Sequence, residues 1–278
     1  MNKFDTFPTG KKRKEIIEQI TQKANDFTTN GEIEILDFEH YTWVDSSLDG
    51  PERIGGRSFA DSFQGVLPEG EKSFKNYIET TLKERKGKAI GVEFGGIGSR
   101  LFRGFTPGFF ARSIAVSLID HRGWSFNLAR LSERDKKINH EVLEGNIFDL
   151  KTYESLKQRL DNEKIDLIIE RMGQGLEFVP VEPYTISKIL QIWYDLLREE
   201  GVMFVQTPVV FNNLLEVWVT KIKEEFKDII EIEYQKGKKD AETNVPCGAF
   251  RLHKLPGAPK ELPLLDPRIV KKIPKAKF

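Results

Sequence analysis

Residues 91 to 102, Gly-Val-Glu-Phe-Gly-Gly-Ile-Gly-Ser-Arg-Leu-Phe, place the carboxylate Glu93 just ahead of Gly95, Gly96 and Gly98, behind an apolar run. Backbone that must approach a nucleotide closely needs glycine, because a side chain blocks the approach and several positions require positive φ. Amide N–H groups in such a turn, with Ser99 opening a short helix, suit an electronegative group on a ligand. A plain strand-to-helix turn has the same composition, so the glycines alone do not decide. Two carboxylates narrow the chemistry. Glu93 stands where it would repel a pyrophosphate. Asp120 closes the next apolar run, Ser-Ile-Ala-Val-Ser-Leu-Ile-Asp, twenty-two residues after Gly98, and a carboxylate there accepts from two ribose hydroxyls. Together they point to a nucleoside cofactor that carries a cation and no phosphate.

On these residues the chain resembles the class I S-adenosylmethionine-dependent methyltransferases. In that family an acid precedes a glycine turn after strand one, as Glu93 does here, and an acid closes strand two, as Asp120 does. A Gly-Asp-hydrophobic segment follows strand three; this chain has Glu-Gly-Asn-Ile-Phe-Asp-Leu, with Gly145, Asn146, Ile147 and Asp149. The resemblance covers about residues 72 to 255 and implies S-adenosyl-L-methionine as cofactor. It implies that Glu93 lies near the methionine end and Asp120 on the ribose. Asn146 or Asp149 would accept from the adenine amine, and the Ile147 N–H would donate to the ring. The chain departs from the family in its compressed Gly-Gly-Ile-Gly spacing and in Asn146, where aspartate is commoner. Asn146 and Asp149 also read as a helix cap for 151–160.

Methyl transfer from a sulfonium is an in-line displacement on an activated donor, so the protein chiefly holds the two reactants in line and excludes water. A base is needed only where the nucleophile must lose a proton. On the acceptor side, Ile-Ile-Glu-Arg-Met-Gly-Gln brings Glu170, Arg171 and Gln174 to the end of a strand, where substrate contacts are expected; a structural Glu170–Arg171 pair is the alternative. The family's adenine methylases carry Asp/Asn-Pro-Pro-aromatic at this point, so Glu-Arg-Met-Gly argues against methylation of a base amino group. His121 and Arg122, following Asp120, face either the ribose or water. Arg53 and Arg57 lie in a glycine-rich stretch that reads as a lid or a surface loop. The four histidines, 40, 121, 140 and 253, show no metal spacing, and no Gly-x-Ser-x-Gly nucleophile motif occurs.

These residues need a scaffold of strands alternating with helices. Short runs rich in Ile, Val, Leu and Phe predict strands over 89–94, 113–119, 140–144, 165–170 and 202–206, covered by helices on both faces. Periodicity predicts helices over 71–86, stopped by Gly87, over 184–200, closed by Gly201, and over 213–226. Residues 227–255 hold two strand-like runs without a helix between them and read as an antiparallel hairpin. The aromatic turn 102–110 reads as packing beneath the sheet. The expected fold is α/β, a Rossmann-like doubly wound sheet, mostly parallel, with an antiparallel C-terminal hairpin strand and an N-terminal extension. The expected division is an extension or lid over 1–70, the cofactor-binding domain over 71–256, and an irregular basic tail over 257–278. The extension and the stretch 122–139 are expected to shape the acceptor pocket.

The chain of 278 residues carries equal numbers of acidic and basic residues, 43 of each, so charge makes no case for a nucleic-acid or membrane partner. A single cysteine, Cys247, allows no intrachain disulfide and suits a reducing compartment. No apolar run is long enough to span a bilayer, and the expectation is a cytoplasmic enzyme acting on a small molecule or a protein side chain. Three other readings stand beside it: an NAD-dependent oxidoreductase, an aminopropyl transferase using decarboxylated donor, and a cofactor-binding domain without turnover. Glu93 and the terminal hairpin count against the first, and Arg171 beside Glu170 fits a polyamine pocket poorly.

Overall fold

The computed structural model describes residues 48, 58–117, 132–147, 149–171, 183–238 and 247–265. Its centre is a seven-stranded sheet in the order β3-β2-β1-β4-β5-β7-β6. The strands are β1 (Ala89–Phe94), β2 (Phe110–Ser117), β3 (His140–Glu144), β4 (Ile165–Glu170), β5 (Leu197–Pro208), β6 (Ile230–Lys238) and β7 (Cys247–Lys254). Strands β1 to β5 pair in parallel, and β7 runs antiparallel to both β5 and β6. The arrangement is the doubly wound order 3-2-1-4-5-6 with one reversed strand inserted before the last. β1 and β4 are buried along their whole lengths, Glu93, Asp166 and Glu170 included, which explains why they read as mainly apolar rather than alternating.

Two apolar layers sandwich the sheet. On one face Ile90, Val92, Phe94 and Ile168 pack against Leu156 of α4 (Leu150–Arg159), Ile189 and Trp193 of α5 (Pro183–Leu196), and Leu215 and Trp218 of α6 (Asn212–Phe226). On the other face Ala89, Leu167, Ile169 and Phe204 meet Phe59 and Phe63 of α1 (Phe59–Phe63), Phe74 and Ile78 of α2 (Phe74–Thr81), and Leu101 and Phe102 of α3 (Ser99–Gly104). Ser58 and Ser73 cap α1 and α2 through their hydroxyls. Phe63, Phe74 and Phe204 form one aromatic group with centroids 4.8 to 5.5 Å apart. Arg251 of β7, 3% exposed, donates to the Val66 carbonyl at 2.9 Å and the Tyr77 hydroxyl at 2.6 Å. Residues 58–82 are thereby fixed to the sheet. The expected core role of the 102–110 turn holds: Phe102, Phe105, Phe109 and Phe110 are all buried.

Several expected boundaries change: the helix expected over 71–86 is α-helical over Phe74–Thr81 and ends in a 3-10 turn over Lys83–Arg85, and β5 runs on to Pro208 instead of 206. β2 begins at Phe110 rather than 113, because Phe110 pairs with Ala89. The helix expected over 184–200 ends at Leu196, and Gly201 lies within β5 instead of closing the helix. Leu197 pairs with Ile165 and Val202 with Leu167, so residues 198–201 bulge, with Glu200 at φ 63°. Residues 255–265 form no helix or strand, as the proline content leads one to expect, yet they are held down. The Trp218 indole donates to the Pro263 carbonyl at 2.7 Å, and Leu265 is buried.

Candidate functional site

The helices on either side of β1 and β4 decide where a ligand can sit. The chain leaving β1 enters α3 on one face, and the chain after β4 returns as α5 on the other. Adjacent strands whose connections diverge in this way leave a crevice beyond their carboxyl ends. Phe94 pairs with both Val116 and Glu170, and Ser117 pairs with Glu144, so β1 to β4 finish nearly level. Gly95 continues the ladder by donating to the Val116 carbonyl at 2.9 Å, and Gly145 donates to the Ser117 carbonyl at 2.8 Å. The structure therefore brings Glu93, Gly95, Gly96, Gly98, Asn146, Ile147 and Glu170 to one edge.

The turn after β1 works differently from an evenly spaced glycine loop. Gly95 and Gly98 have φ of 93° and 63°, a region that favours glycine. Ile97, between them, is fully buried with Ala115 and Val142. The compressed Gly-Gly-Ile-Gly spacing is accommodated by turning one apolar side chain into the core. Gly98 also has no room: a Cβ there would lie 2.9 Å from Glu93 Oε2, 3.0 Å from His140 Cε1 and 3.2 Å from Ala115 Cβ. Glu93 is 3% exposed, with its carboxylate directly against the inner side of the turn.

Two residues behind the turn have no counterpart in the sequence reading as site residues. His140 sits at the start of β3, 5% exposed. Its Nε2 lies 2.7 Å from the Ile97 carbonyl oxygen and its Nδ1 2.9 Å from Ser113 Oγ. Asp135, fully buried in a helical turn over 132–136, accepts from the Ser99 hydroxyl at 2.6 Å and pairs with Arg103 at 3.8 Å. Sequence spacing alone does not connect residues 97, 99, 113, 135 and 140. Pairing of β2 with β3 and the return of the chain through 132–136 do.

At the end of β3, Gly145 is required by the close approach of α4, since a Cβ would come 2.5 Å from Thr152 Cγ2. Asn146 is partly buried, and its carbonyl accepts from the Asp149 N–H at 2.9 Å. Ile147 is 2% exposed, and its carbonyl accepts from the Tyr153 hydroxyl at 2.7 Å. The Trp193 indole donates to that same hydroxyl at 3.1 Å and stacks on Phe94 at 5.1 Å. Asp149 is the N-cap of α4, its carboxylate accepting from the Lys151 N–H at 2.9 Å.

At the end of β4 the neighbours Glu170 and Arg171 diverge. Glu170, fully buried, faces the α4 side. Burial raises the Tyr153 hydroxyl above the ordinary tyrosine pKa, the Trp193 hydrogen bond opposes this, and the Glu170 charge adds to it. The Arg171 guanidinium lies 5.2 Å over the Phe59 ring on the opposite layer. Asp120, His121, Arg122, Gln174, Arg53 and Arg57 lie outside the described residues. Among the described residues no group of three or more His, Cys, Asp or Glu side chains could hold a metal ion, and no helix is long and apolar enough to cross a membrane.

No protein-family model and no curated protein sequence matches the chain. Among solved structures it is similar to an rRNA methylase from Streptococcus thermophilus, at 16% identity and a TM-score of 0.41, covering 67% of this chain and 99% of that one. It is similar to the N-methyltransferase NodS from Bradyrhizobium japonicum in complex with S-adenosyl-l-homocysteine, at 11% identity and a TM-score of 0.41, covering 85% and 98%. An O-methyltransferase from Bacillus cereus is similar at 14% identity and a TM-score of 0.38, covering 86% and 99%. At these scores the likeness carries no functional argument, and the chemistry has to come from the chain's own residues.

Proposed function

We propose that the chain is an S-adenosylmethionine-dependent methyltransferase that moves a methyl group in line to a small molecule or a protein side chain. The observation that carries this reading is Glu93: a buried carboxylate against a glycine turn, at the carboxyl end of the central strand, beside the crevice. A carboxylate at this place favours a cationic ligand and opposes a pyrophosphate, and a cation bound beside it would in turn favour its ionised form. The reversed β7 supports it further, because the antiparallel terminal hairpin belongs to the methyltransferase resemblance and departs from the dinucleotide order 3-2-1-4-5-6.

S-adenosylmethionine supplies, when bound, a methyl group already activated on a sulfonium. The residues present fit that group. Glu93 serves its charged methionine end, and Asp120 accepts from the ribose hydroxyls. The Asn146 side-chain oxygen accepts from the adenine amine, with the Ile147 N–H donating to the ring. Asp149 is the weaker candidate for that contact, since its carboxylate already caps α4. Glu170 and Arg171 border the acceptor side, and their task is orientation and exclusion of water rather than obligatory proton transfer.

Calorimetry with S-adenosylhomocysteine, S-adenosylmethionine and NADH tests the cofactor, and transfer of labelled methyl from the donor to small-molecule and protein acceptors tests turnover. Binding of the two adenosyl compounds with label in a product is the expected result. Saturable binding of NADH with none of the adenosyl compounds would overturn the reading. Adenosyl binding without transfer to any acceptor would reduce it to a cofactor-binding domain.

A further inference from the structure

We infer that His140 and Asp135 are positioning residues that set the geometry of the cofactor-binding turn from behind, a role that rests on the methyltransferase reading above. The turn has three successive residues, Ile97, Gly98 and Ser99, and the stretch 132–140 touches each of them. His140 holds the Ile97 carbonyl at 2.7 Å, its ring edge packs against Gly98, and Asp135 holds the Ser99 hydroxyl at 2.6 Å. Neither side-chain hydrogen bond is part of a helix or strand ladder, so neither follows from forming the sheet.

The chemistry of the partners fixes the state of the histidine. A carbonyl oxygen only accepts, so Nε2 of His140 carries the proton that bonds Ile97. In the neutral ring Nδ1 then accepts from the Ser113 hydroxyl, which lies 2.9 Å away. Ser113, fully buried on β2, accommodates the ring in that state, because its hydroxyl can donate as well as accept. Phe102 of α3 lies 5.3 Å from the imidazole centroid and keeps the ring from swinging. Asp135 extends the hold along α3, meeting Ser99 at its start and Arg103 near its end, at 3.8 Å.

A glycine-rich turn is free to populate many conformations, and a ligand that needs one of them binds in proportion to the fraction populated. Asp135, in the connection between β2 and β3, and His140, at the start of β3, therefore also govern donor affinity. The coupling is local and directional: contacts on the far side of the turn bias the face that meets the ligand.

The test compares His140→Leu, which keeps volume and loses the donor, with His140→Gln, whose amide nitrogen can donate from a similar reach. S-adenosylhomocysteine affinity by calorimetry, amide exchange in the peptide spanning 95–102, and melting temperature are measured on each full-length variant. The expected result is about tenfold weaker binding and faster exchange for His140→Leu, with His140→Gln restoring both even where its melting temperature falls as far. Ser113→Ala should give a smaller loss that is not additive with His140→Leu, because both act through one hydrogen bond. Asp135→Asn, which still accepts from Ser99, should bind more tightly than Asp135→Leu. Leu and Gln variants that lose affinity equally, in step with melting temperature, would show a merely structural histidine and overturn the proposal. If the unaltered protein binds no S-adenosylhomocysteine, the cofactor reading falls. Exchange over 95–102 then decides alone, faster in His140→Leu than in His140→Gln upholding the proposal and equal rates overturning it.

Discussion

The Tyr153 hydroxyl donates to the Ile147 carbonyl at 2.7 Å, tying the loop that leaves β3 to the helix that follows it. Trp193, reaching from α5, donates to the same oxygen at 3.1 Å. Tyr153→Phe removes the shared atom and strands two buried polar groups, which costs about 1–3 kcal/mol for each left unpaired. Chemical denaturation should show a total loss of about 2–6 kcal/mol, and S-adenosylhomocysteine affinity should fall with it, because the Ile147 N–H is no longer held in place.

The proposed function gives Asn146 the ligand contact, whereas Asp149 caps a helix. Asp149→Ala should cost about 0.5–2 kcal/mol of stability, as expected for loss of an N-cap, while Asp149→Ser should recover most of it. Calorimetry at a temperature where every variant is folded should find affinity little changed in both. Asn146→Ala should instead weaken S-adenosylhomocysteine binding at that same temperature.

Replacing Asp120 with Ala removes a charged acceptor worth roughly 1.5–3 kcal/mol, so cofactor affinity should drop about ten- to a hundredfold. Unchanged affinity by calorimetry would sink the ribose assignment while leaving the Glu93 assignment standing.

The acid limb of stability should report Glu141 of β3. Burial raises its carboxyl, but hydrogen bonds and charges from Arg112 and Arg159, at 2.8 and 2.6 Å, outweigh this and hold it below the ordinary glutamate value. A depressed carboxyl stabilises the fold above its unfolded pKa and loses that contribution as pH falls through the lower folded value. Urea titrations at about pH 6 and about pH 3.5 should therefore show a steeper acid loss in the native chain than in Glu141→Gln. The effect is modest, since the side chain is one-third exposed and screened by solvent.

How far the fold is legible in the sequence depends on whether a signal is local. β1, β3 and β4 begin and end where the sequence predicts; β1 and β4 are buried throughout, polar residues included, whereas β3 leaves Glu144 exposed. The helix before β5 overruns because Leu197 to Glu200 suit a helix well enough. What converts them to strand is pairing with Ile165, thirty-two residues earlier. The site divides in the same way. Glu93, Asn146 and Glu170 are legible as residues at strand ends, but the divergence of Glu170 and Arg171 onto opposite layers is set by strand alternation and by Phe59, more than a hundred residues away. His140 reads as a lone histidine without metal spacing, since nothing near it in sequence hints at Ser113 or Ile97.

The reversed strand β7 has a consequence for how the chain is made. Among the described residues β6 pairs with β7 alone, and β7 follows it in the chain. A nascent chain on the ribosome can assemble β1 to β5 as they emerge, whereas β6 must wait, unpaired, with Ile230, Ile232 and Tyr234 seeking cover. Completion of the sheet is an insertion between two existing edges rather than an addition at one. Translation stalled ahead of residue 247 would leave two strand edges exposed at once, the circumstance in which nascent chains most need a chaperone.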